Sequence, residues 1–599
     1  MKTEIEIGTW DHSHIYKSLE DDRIEQEISL ISEVVGELKP LNSLFSEYLD
    51  QTMGEDNVLL DGLWRAARLV TKVNQPLSNL SAFVLAETSV DSQNKLAANL
   101  QLRLQKLGVQ LTKATNPFYL CLDRISNTFL KQFLEPNEFR DMEFLTTVSR
   151  NFRPFQLPLD QENLLSSMAP AGLRSWQNLY SDLTSKLSVK IDQQETSLSE
   201  ALGMLENPDA AIRKASYEAL DDLYHTHRHS FARILTSQVK WRLSEQSQRS
   251  NNQEMHFLDK PLQSGRLTRN TLEAMSASVQ NYRPELSPIL ARMAKTFGQE
   301  SLHPWDLLAQ APLDESFEFS FEEAMKLVEN AYNEIHPEMG EFVSMMMDRR
   351  WIDVRKGSAR RPSAFAFHFQ NPMEPRVFGT FMGTMKSLRM LAHEVGHAYH
   401  FWCLRNEPEE LQRYPLTLAE TASIFGELAL GRYLTNHSDE TVRKLSAWQD
   451  AQSVVTYLLN IPMRFDFEKR LYEHGDSYLE SEDLCKMMSE VCMDWHGDSG
   501  LSAPLKYFWA SKLHFNLAYF YNYPYTFGYL LAQVLFDEYL NNKDGFHERY
   551  TRFLRGTGKF TCEELIHKEL NEDCERSEFW QRGTGMAKKR ADYFLKIFN

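Results

Sequence analysis

Two histidines four residues apart have the spacing of a metal site. His393, Glu394 and His397 form an H-E-x-x-H pattern within the stretch SLRMLAHEVGHAYHFWCLR. On a helix, residues i and i+4 lie on the same face, so both imidazoles can bind one metal ion. The carboxylate of Glu394 is offset by about 100° around the helix, where it can act on a water molecule as a general base. The pattern therefore predicts a metal site suited to hydrolysis.

The same stretch carries an apolar stripe that indicates how the helix is oriented. Its members recur at spacings of three and four residues, and the histidines fall on the opposite side. The stripe consists of Leu388, Leu391, Ala392, Val395, Tyr399 and Trp402. A helix packed on one face can also carry solvated histidines on the other, so this helix alone leaves a plain surface role open.

A second stretch places carboxylates where polar residues are rare. Residues 417–430 are apolar nearly all round a helix, which indicates burial, yet Glu420 and Glu427 lie on one line of it. Because a buried carboxylate needs a partner, we predict that Glu420 joins the two histidines in holding one Zn²⁺ per chain. Alternatively, Thr417 and Glu420 form a capping box. Glu427 either orients a ligand or the substrate, or pairs with an arginine.

The elements that must position these residues are mostly helical. Between Asn207 and Leu223, apolar residues recur at spacings of three and four after an Asn-Pro-Asp start signal, and similar stripes recur along the chain. Strand-like alternation is rare, and its best case is Ser363–Phe369. We therefore predict a mostly α fold with a small β element near residues 351–370.

The length of the chain points to more than one lobe. A chain of 599 residues is too long for one small core. Residues 150–195 contain three prolines and show weaker periodicity. We predict an N-terminal helical lobe over residues 1–195 and a catalytic domain over residues 196–599.

Charge and apolar content argue against several kinds of partner. The formal net charge of −18 suits neither nucleic acid nor an anionic membrane surface. No uncharged apolar run reaches the ~18 residues of a membrane span, and no secretory signal is visible at the N-terminus. Six cysteines without a C-x-x-C pair fit a reducing compartment. We expect a cytoplasmic protein that binds neither nucleic acid nor membranes, and the sequence leaves its oligomeric state open.

The metal motif and three further stretches resemble one known family. HEVGHAYH followed by YPLTLAETASIFGE is similar to the oligoendopeptidase F branch of the thimet oligopeptidase-like zinc metallopeptidases. The similarity continues in a loop at residues 351–365, in the lead-in at 381–392 and in a His/Tyr segment from His514 to Gly528. In the loop, Ser363 stands where the family usually has glycine.

The resemblance implies a fold, a substrate class and further site residues. It implies two helical lobes that enclose a deep channel, which admits short unstructured oligopeptides and excludes folded proteins. Glu394 would then be the general base of a zinc metalloendopeptidase. His514, Tyr523 and Tyr525 are candidate catalytic donors to the oxygen of the attacked carbonyl.

Two other functions stay open at this point. A zinc metallocarboxypeptidase with a similar helical channel would need a cation for the terminal carboxylate, and the arginine-rich loop Arg355–Arg361 could supply one. A non-catalytic helical scaffold or peptide-binding protein would be expected to carry a broken motif. Here Glu394 and the three predicted ligands are all present, which favours an enzyme.

Overall fold

A computed structural model of the protein describes residues 8–250, 253–313, 317–475, 477–497 and 500–599. Within these residues the secondary structure is predominantly helical, with two small sheets, which confirms the mostly α fold class. Of the helices so described, none has both the length and the apolar character needed to cross a bilayer.

The N-terminal part of the chain is built on three long helices that pack against one another. Asp21, Asp56 and Asn94 cap these three helices, because each side chain accepts a backbone N–H from the first turn. The helices of this part are α1 (Asp22–Leu49), α2 (Asn57–Val90), α3 (Lys95–Arg124), α4 (Asn127–Phe133), α5 (Glu143–Arg150), α6 (Leu159–Met168) and α7 (Leu173–Lys186).

A two-stranded antiparallel hairpin follows α7. It consists of β1 (Ser188–Ile191) and β2 (Gln194–Ser197), and the sequence analysis did not predict it. The proposed lobe boundary near residue 195 lies in β2. The division into residues 1–195 and 196–599 stays a prediction.

The central part of the chain contains the longest helix, α9, among those described. Asp209 caps it by accepting from the backbone N–H of Ala211, as the Asn-Pro-Asp signal predicts. The helices are α8 (Leu198–Met204), α9 (Ala210–Arg249), α10 (Asp259–Gly265), α11 (Arg269–Tyr282), α12 (Leu286–Thr296), α13 (Phe321–Ile335) and α14 (Pro337–Asp348).

The predicted β element is present and is larger than expected. It is a three-stranded sheet of β3 (Ile352–Asp353), β4 (Phe365–Gln370) and β5 (Met373–Phe378) in the order β3-β5-β4. β5 is parallel to β3 and antiparallel to β4. The sequence analysis missed β5, which lies beyond residue 370.

The C-terminal part is again helical and contains the metal motif in its first helix. A five-residue π-helical segment, Thr456–Asn460, joins two of its helices. The helices are α15 (Met385–Leu404), α16 (Leu416–Leu434), α17 (Glu440–Val455), α18 (Ile461–Glu473), α19 (Ser481–His496), α20 (Phe508–Ser511), α21 (Leu513–Leu517), α22 (Tyr523–Asn541), α23 (Phe546–Gly556), α24 (Cys562–Leu570) and α25 (Ser577–Ile597).

The buried apolar side chains form two clusters that meet at the three-stranded sheet. One cluster draws on residues 10–139 and takes in Phe367, Phe369 and Phe378 of the sheet. The other draws on residues 180–594 and takes in Val377 of β5. Because β4 and β5 also pack against α15, the sheet links the N-terminal cluster to the helix that carries the metal motif.

Candidate metal centre and active site

The metal centre is built where α15 and α16 approach each other closely. A Cβ atom on Gly396 would lie 2.5 Å from the carbonyl oxygen of Ala422 and 2.6 Å from the Cα atom of Ser423. On the other helix, a Cβ atom on Gly426 would lie 2.6 Å from the carbonyl oxygen of Ala392. Only glycine permits this approach without a shift of backbone, and it brings the carboxylate of α16 to the imidazoles of α15.

The three predicted metal ligands lie together. The Oε2 atom of Glu420 is 3.3 Å from Nε2 of His393 and 3.5 Å from Nε2 of His397. One ligand atom from each residue lies within 4.8 Å of the other two. Two imidazole nitrogens and a carboxylate oxygen are the donor set of a hydrolytic zinc site, so the residues fit Zn²⁺. All three side chains are largely buried, which excludes the reading of solvated histidines.

The protonation of Glu420 is set by its two histidine neighbours. Burial alone would raise the pKa of this carboxyl, but hydrogen bonds and charges from His393 and His397 lower it well below its usual value. Ser423 adds a hydrogen bond by donating its hydroxyl to Oε2 of Glu420 over 3.0 Å. The ligand carboxylate is therefore held ionised, as metal binding requires.

Glu427 orients one of the histidines through a chain of charged groups. Its Oε1 atom lies 2.7 Å from Nδ1 of His393, while its Oε2 atom accepts from Arg389 over 3.1 Å. Arg389 in turn pairs with Asp450 at 2.6 Å, and Arg590 lies 3.3 Å from the same Asp450. Glu427 therefore contacts both a predicted metal ligand, His393, and an arginine, Arg389. A proton on Nδ1 leaves Nε2 of His393 free to face the metal position.

Glu394 has a buried carboxylate, and one of its oxygens accepts no hydrogen bond from any residue that the structure describes. It is 6% exposed, and its Oε2 atom has no hydrogen-bond partner among the described residues. Burial raises the pKa of Glu394, and the neighbouring charges of His393 and His397 oppose that shift. A buried carboxylate next to a metal position, with one oxygen unsatisfied, has the environment expected of a general base.

The three predicted donors from the His/Tyr segment occupy different surroundings. The hydroxyl of Tyr523 donates to the carbonyl oxygen of Pro261 over 2.9 Å, and its ring is 3% exposed. Burial and then the charges of Tyr521 and Glu420 raise the pKa of Tyr525. His514 lies with its ring centroid 5.7 Å from that of Tyr525. The catalytic assignment of all three residues stays a prediction.

A buried glutamate that the sequence analysis did not identify anchors the same segment. Glu468 is 1% exposed and accepts from the backbone N–H of Phe520 over 2.9 Å and from Asn522 over 3.3 Å. Phe520 has a φ of 50°, in the left-handed region that non-glycine residues rarely adopt. Burial raises the pKa of Glu468 to about 7. Its place in the apolar pattern of α18 gives no sign of this contact.

Local contacts bear on two alternatives suggested by the sequence. The hydroxyl of Thr417 donates to the carbonyl oxygen of Gly265 over 2.6 Å, and α16 begins without a side-chain cap, so the capping box is wrong. In the arginine-rich loop, Arg355 and Arg360 both pair with Asp353, at 2.6 and 2.7 Å. These two guanidinium groups already have a carboxylate partner.

A helical scaffold with two histidines, a glutamate ligand and a buried glutamate beside them has the features of a metal-dependent hydrolase. The match of residues 203–586 to the model of peptidase family M3 makes the assignment specific, and the chain belongs to that family.

Similar proteins agree with this family. The oligopeptidase PepF of Bacillus subtilis (strain 168) is 21% identical over 572 residues, which cover 93% of this chain and 82% of that protein. The oligoendopeptidase F homolog of Lactococcus lactis subsp. lactis (strain IL1403) is 24% identical over 410 residues, which cover 66% of this chain and 65% of that protein.

Solved structures agree with the fold. Oligoendopeptidase-F from Enterococcus faecium matches with a TM-score of 0.67 at 17% identity, over 94% of this chain and 99% of that chain. PZ peptidase A with inhibitor 2 matches with a TM-score of 0.74 at 16% identity, over 93% of this chain and 97% of that chain. Together these comparisons confirm the resemblance to the oligoendopeptidase F branch.

Proposed function

We propose that the chain is a cytoplasmic zinc metalloendopeptidase that hydrolyses peptide bonds within short, unstructured oligopeptides. The observation that carries the proposal is the meeting of His393, His397 and Glu420 beside Glu394, whose second carboxylate oxygen is buried without a partner. Membership of peptidase family M3 supports the peptidase activity. The six cysteines, all free, are consistent with a reducing compartment.

The ligand set accounts for the chemistry that the metal supplies. His393, His397 and Glu420 would hold Zn²⁺, which would lower the pKa of a water ligand towards ~7 and polarise the carbonyl of the peptide bond. On the protein side, His393 is held by Glu427 with its Nε2 atom directed towards Glu420. This fixed orientation keeps the ligand set in place through the reaction.

The proton transfers fall to Glu394. We expect its carboxylate to take a proton from the attacking water and to pass it to the amine that leaves. The raised pKa of Glu394 suits this exchange, because a base that is too weak could not accept the proton. Tyr525 and His514 are the donors that we place at the carbonyl oxygen, where negative charge develops.

Two substitutions test the proposal. We expect Glu394→Gln to keep one zinc per chain and to lose at least about 10²-fold in kcat, since glutamine has the same shape but accepts no proton. His397→Ala should lose most of its zinc in metal analysis. Glu490→Gln is a matched control, because its side chain is 53% exposed on α19. Near-normal turnover by Glu394→Gln, or a full zinc content in His397→Ala, would contradict the proposal.

Peptides blocked at both ends separate the endopeptidase from the carboxypeptidase. An endopeptidase cleaves them, whereas a carboxypeptidase needs a free terminal carboxylate and leaves them intact. Folded proteins should resist cleavage because the proposed channel admits only extended chains. Mass spectrometry of the digests reads both outcomes.

A further inference from the structure

Close to the metal centre lies a cavity of about 160 Å³ with mostly apolar walls. The π-helical segment Thr456–Asn460 reaches α22, where Thr526 donates its hydroxyl to the carbonyl oxygen of Tyr457 over 2.7 Å. On the same helix, a Cβ atom on Gly528 would lie 2.8 Å from the Cβ atom of Glu420. Asn460 lines the cavity, while burial raises the pKa of Tyr457 and the charges of Glu427 and Glu420 raise it further. Short π-helical segments occur frequently at functional sites.

Two cations line this cavity without carboxylate partners. Arg464 and Lys512 lie over the ring of Phe508, at 5.1 and 4.3 Å from its centroid. Within the part of the chain that the structure describes, no carboxylate pairs with either cation, and Nε of Arg464 has no hydrogen-bond acceptor. Asp221 also lines the cavity, but it pairs with Lys506 at 3.2 Å.

The electrostatic consequence is an apolar cavity with unbalanced positive charge. Burial lowers the pKa of Arg464 to about 10, and burial together with the charge of Arg464 lowers the pKa of Lys512 to about 7. Two like charges that are partly buried in an apolar wall are unfavourable until an anion joins them. An anion with an apolar stem fits the cavity best, since most of its wall is apolar.

The two cations also adjoin the predicted donors. The charge of Arg464 acts on both Tyr525 and His514, and Lys512 acts on His514 as well. Tyr525 lies on α22 three residues before Gly528, where a Cβ atom would be 2.8 Å from the Cβ atom of Glu420. A peptide bound at the metal centre therefore has these cations within reach of a neighbouring part of its chain.

We propose that this cavity is a subsite for a carboxylate of the peptide substrate, with Arg464 and Lys512 as the groups that recognise it. The inference rests on the proposed peptidase function and adds a substrate preference to it. The carboxylate is either the C-terminus of the peptide or the side chain of an aspartate or glutamate. Both sources offer the same anion to the same two cations.

The experiment compares matched peptides. One pair differs only in a C-terminal acid or amide, and a scanned set carries glutamate or glutamine at each position around the cleaved bond. Cleavage is measured on the zinc-loaded wild type, on Arg464→Met and on Lys512→Met, which keep an unbranched apolar side chain but remove the charge. Arg470→Met on α18 and Lys486→Met on α19 are matched controls with exposed cations.

In one of these peptide pairs, we expect the wild type to cleave the acidic peptide with a kcat/KM about 10- to 100-fold higher than that of its neutral counterpart. This ratio is what a charge-assisted hydrogen bond predicts. Arg464→Met and Lys512→Met should reduce that preference to about twofold through KM, while the controls keep it. The pair that shows the preference identifies the source of the carboxylate. Equal cleavage within every pair by the wild type, or full preference in Arg464→Met, would overturn the proposal.

A binding assay distinguishes a failure of the proposed subsite from a failure of the proposed peptidase activity. The same peptides are titrated into Glu394→Gln, with and without Arg464→Met, and affinity is read by fluorescence anisotropy. Carboxylate-dependent binding that Arg464→Met abolishes supports the subsite even if the wild type cleaves no peptide, a result that would overturn only the proposed activity. Equal affinity for acidic and neutral peptides would overturn the subsite.

Discussion

The contact between α15 and α16 at Gly396 provides a test of how the metal centre is positioned. A Cβ atom there would lie 2.5 Å from the carbonyl oxygen of Ala422, whereas ordinary van der Waals contact begins at 3.4 Å. Gly396→Ala must therefore move the two backbones apart by about 0.9 Å, the difference between these two distances. No flexible side chain can absorb the displacement, because the nearest atoms all belong to the backbone.

We expect Gly396→Ala to lower both the stability of the fold and the affinity for zinc. Overpacking costs typically ~1–3 kcal/mol, while alanine gains ~1 kcal/mol over glycine inside a helix, so we expect a net loss of about 0–2 kcal/mol. His393 and His397 lie on one helix and Glu420 on the other, so the displacement separates the ligands. Because such sites tolerate a displacement of their ligands of only about 0.5 Å, we expect zinc affinity to fall about 10- to 100-fold.

Zinc affinity is measured by competition with a chromogenic chelator, and stability by thermal unfolding with and without zinc. Gly585→Ala in α25 is the matched control, since a Cβ atom there meets nothing within 4 Å. This control should bind zinc normally and unfold at the wild-type temperature or above. If Gly396→Ala matches the control in both measurements, the close approach of the helices does not set the metal geometry.

Two further predictions concern the His/Tyr segment. Tyr525→Phe should lower kcat and kcat/KM together by about 10²–10³-fold with little change in KM, whereas Tyr523→Phe should lose about 1–3 kcal/mol of stability and keep its turnover. The opposite outcome in steady-state kinetics and thermal melts would exchange the two assignments. Glu468 has a pKa of about 7 in the folded protein, above its usual 4.5. The folded state therefore binds the proton of Glu468 more tightly than the unfolded state, which stabilises the fold at low pH. This stabilisation is lost as the pH rises from 4.5 to 7. The free energy of unfolding should fall by ~3 kcal/mol over this pH range. Glu468→Gln should abolish this pH dependence. If the pH profile of unfolding is the same in Glu468→Gln as in the wild type, Glu468 is not responsible.

The cluster of candidate metal ligands was predictable from the sequence because the spacing of its two histidines has a local meaning. His393 and His397 face the same way on any helix, whatever packs around it. Glu420 was identified by an anomaly, a carboxylate on an apolar helix, and the structure places it against both imidazoles. The same anomaly signalled Glu427, whose two suggested roles coexist in its contacts with His393 and Arg389.

The helical fold class was predictable for the same reason, since apolar periodicity is a property of neighbouring residues. Strand β5 and the hairpin of β1 and β2 were missed because short strands depend on their partners for stability. The proximity of α15 and α16 depends on Gly396 and Gly426, and the importance of a glycine becomes visible only when the atom it avoids is known.

The rest of the site was decided by tertiary packing alone. Tyr523 and Tyr525 are equivalent in the sequence, but packing directs one hydroxyl to Pro261 and places the other near Glu420. Arg464 on α18 and Lys512 between α20 and α21 are ordinary charged residues until the fold places both in the wall of one apolar cavity. The sequence by itself determined which residues share a helix face, because helix geometry is local. Which faces meet, and which charges lose their solvent, was decided by contacts between residues far apart in the chain.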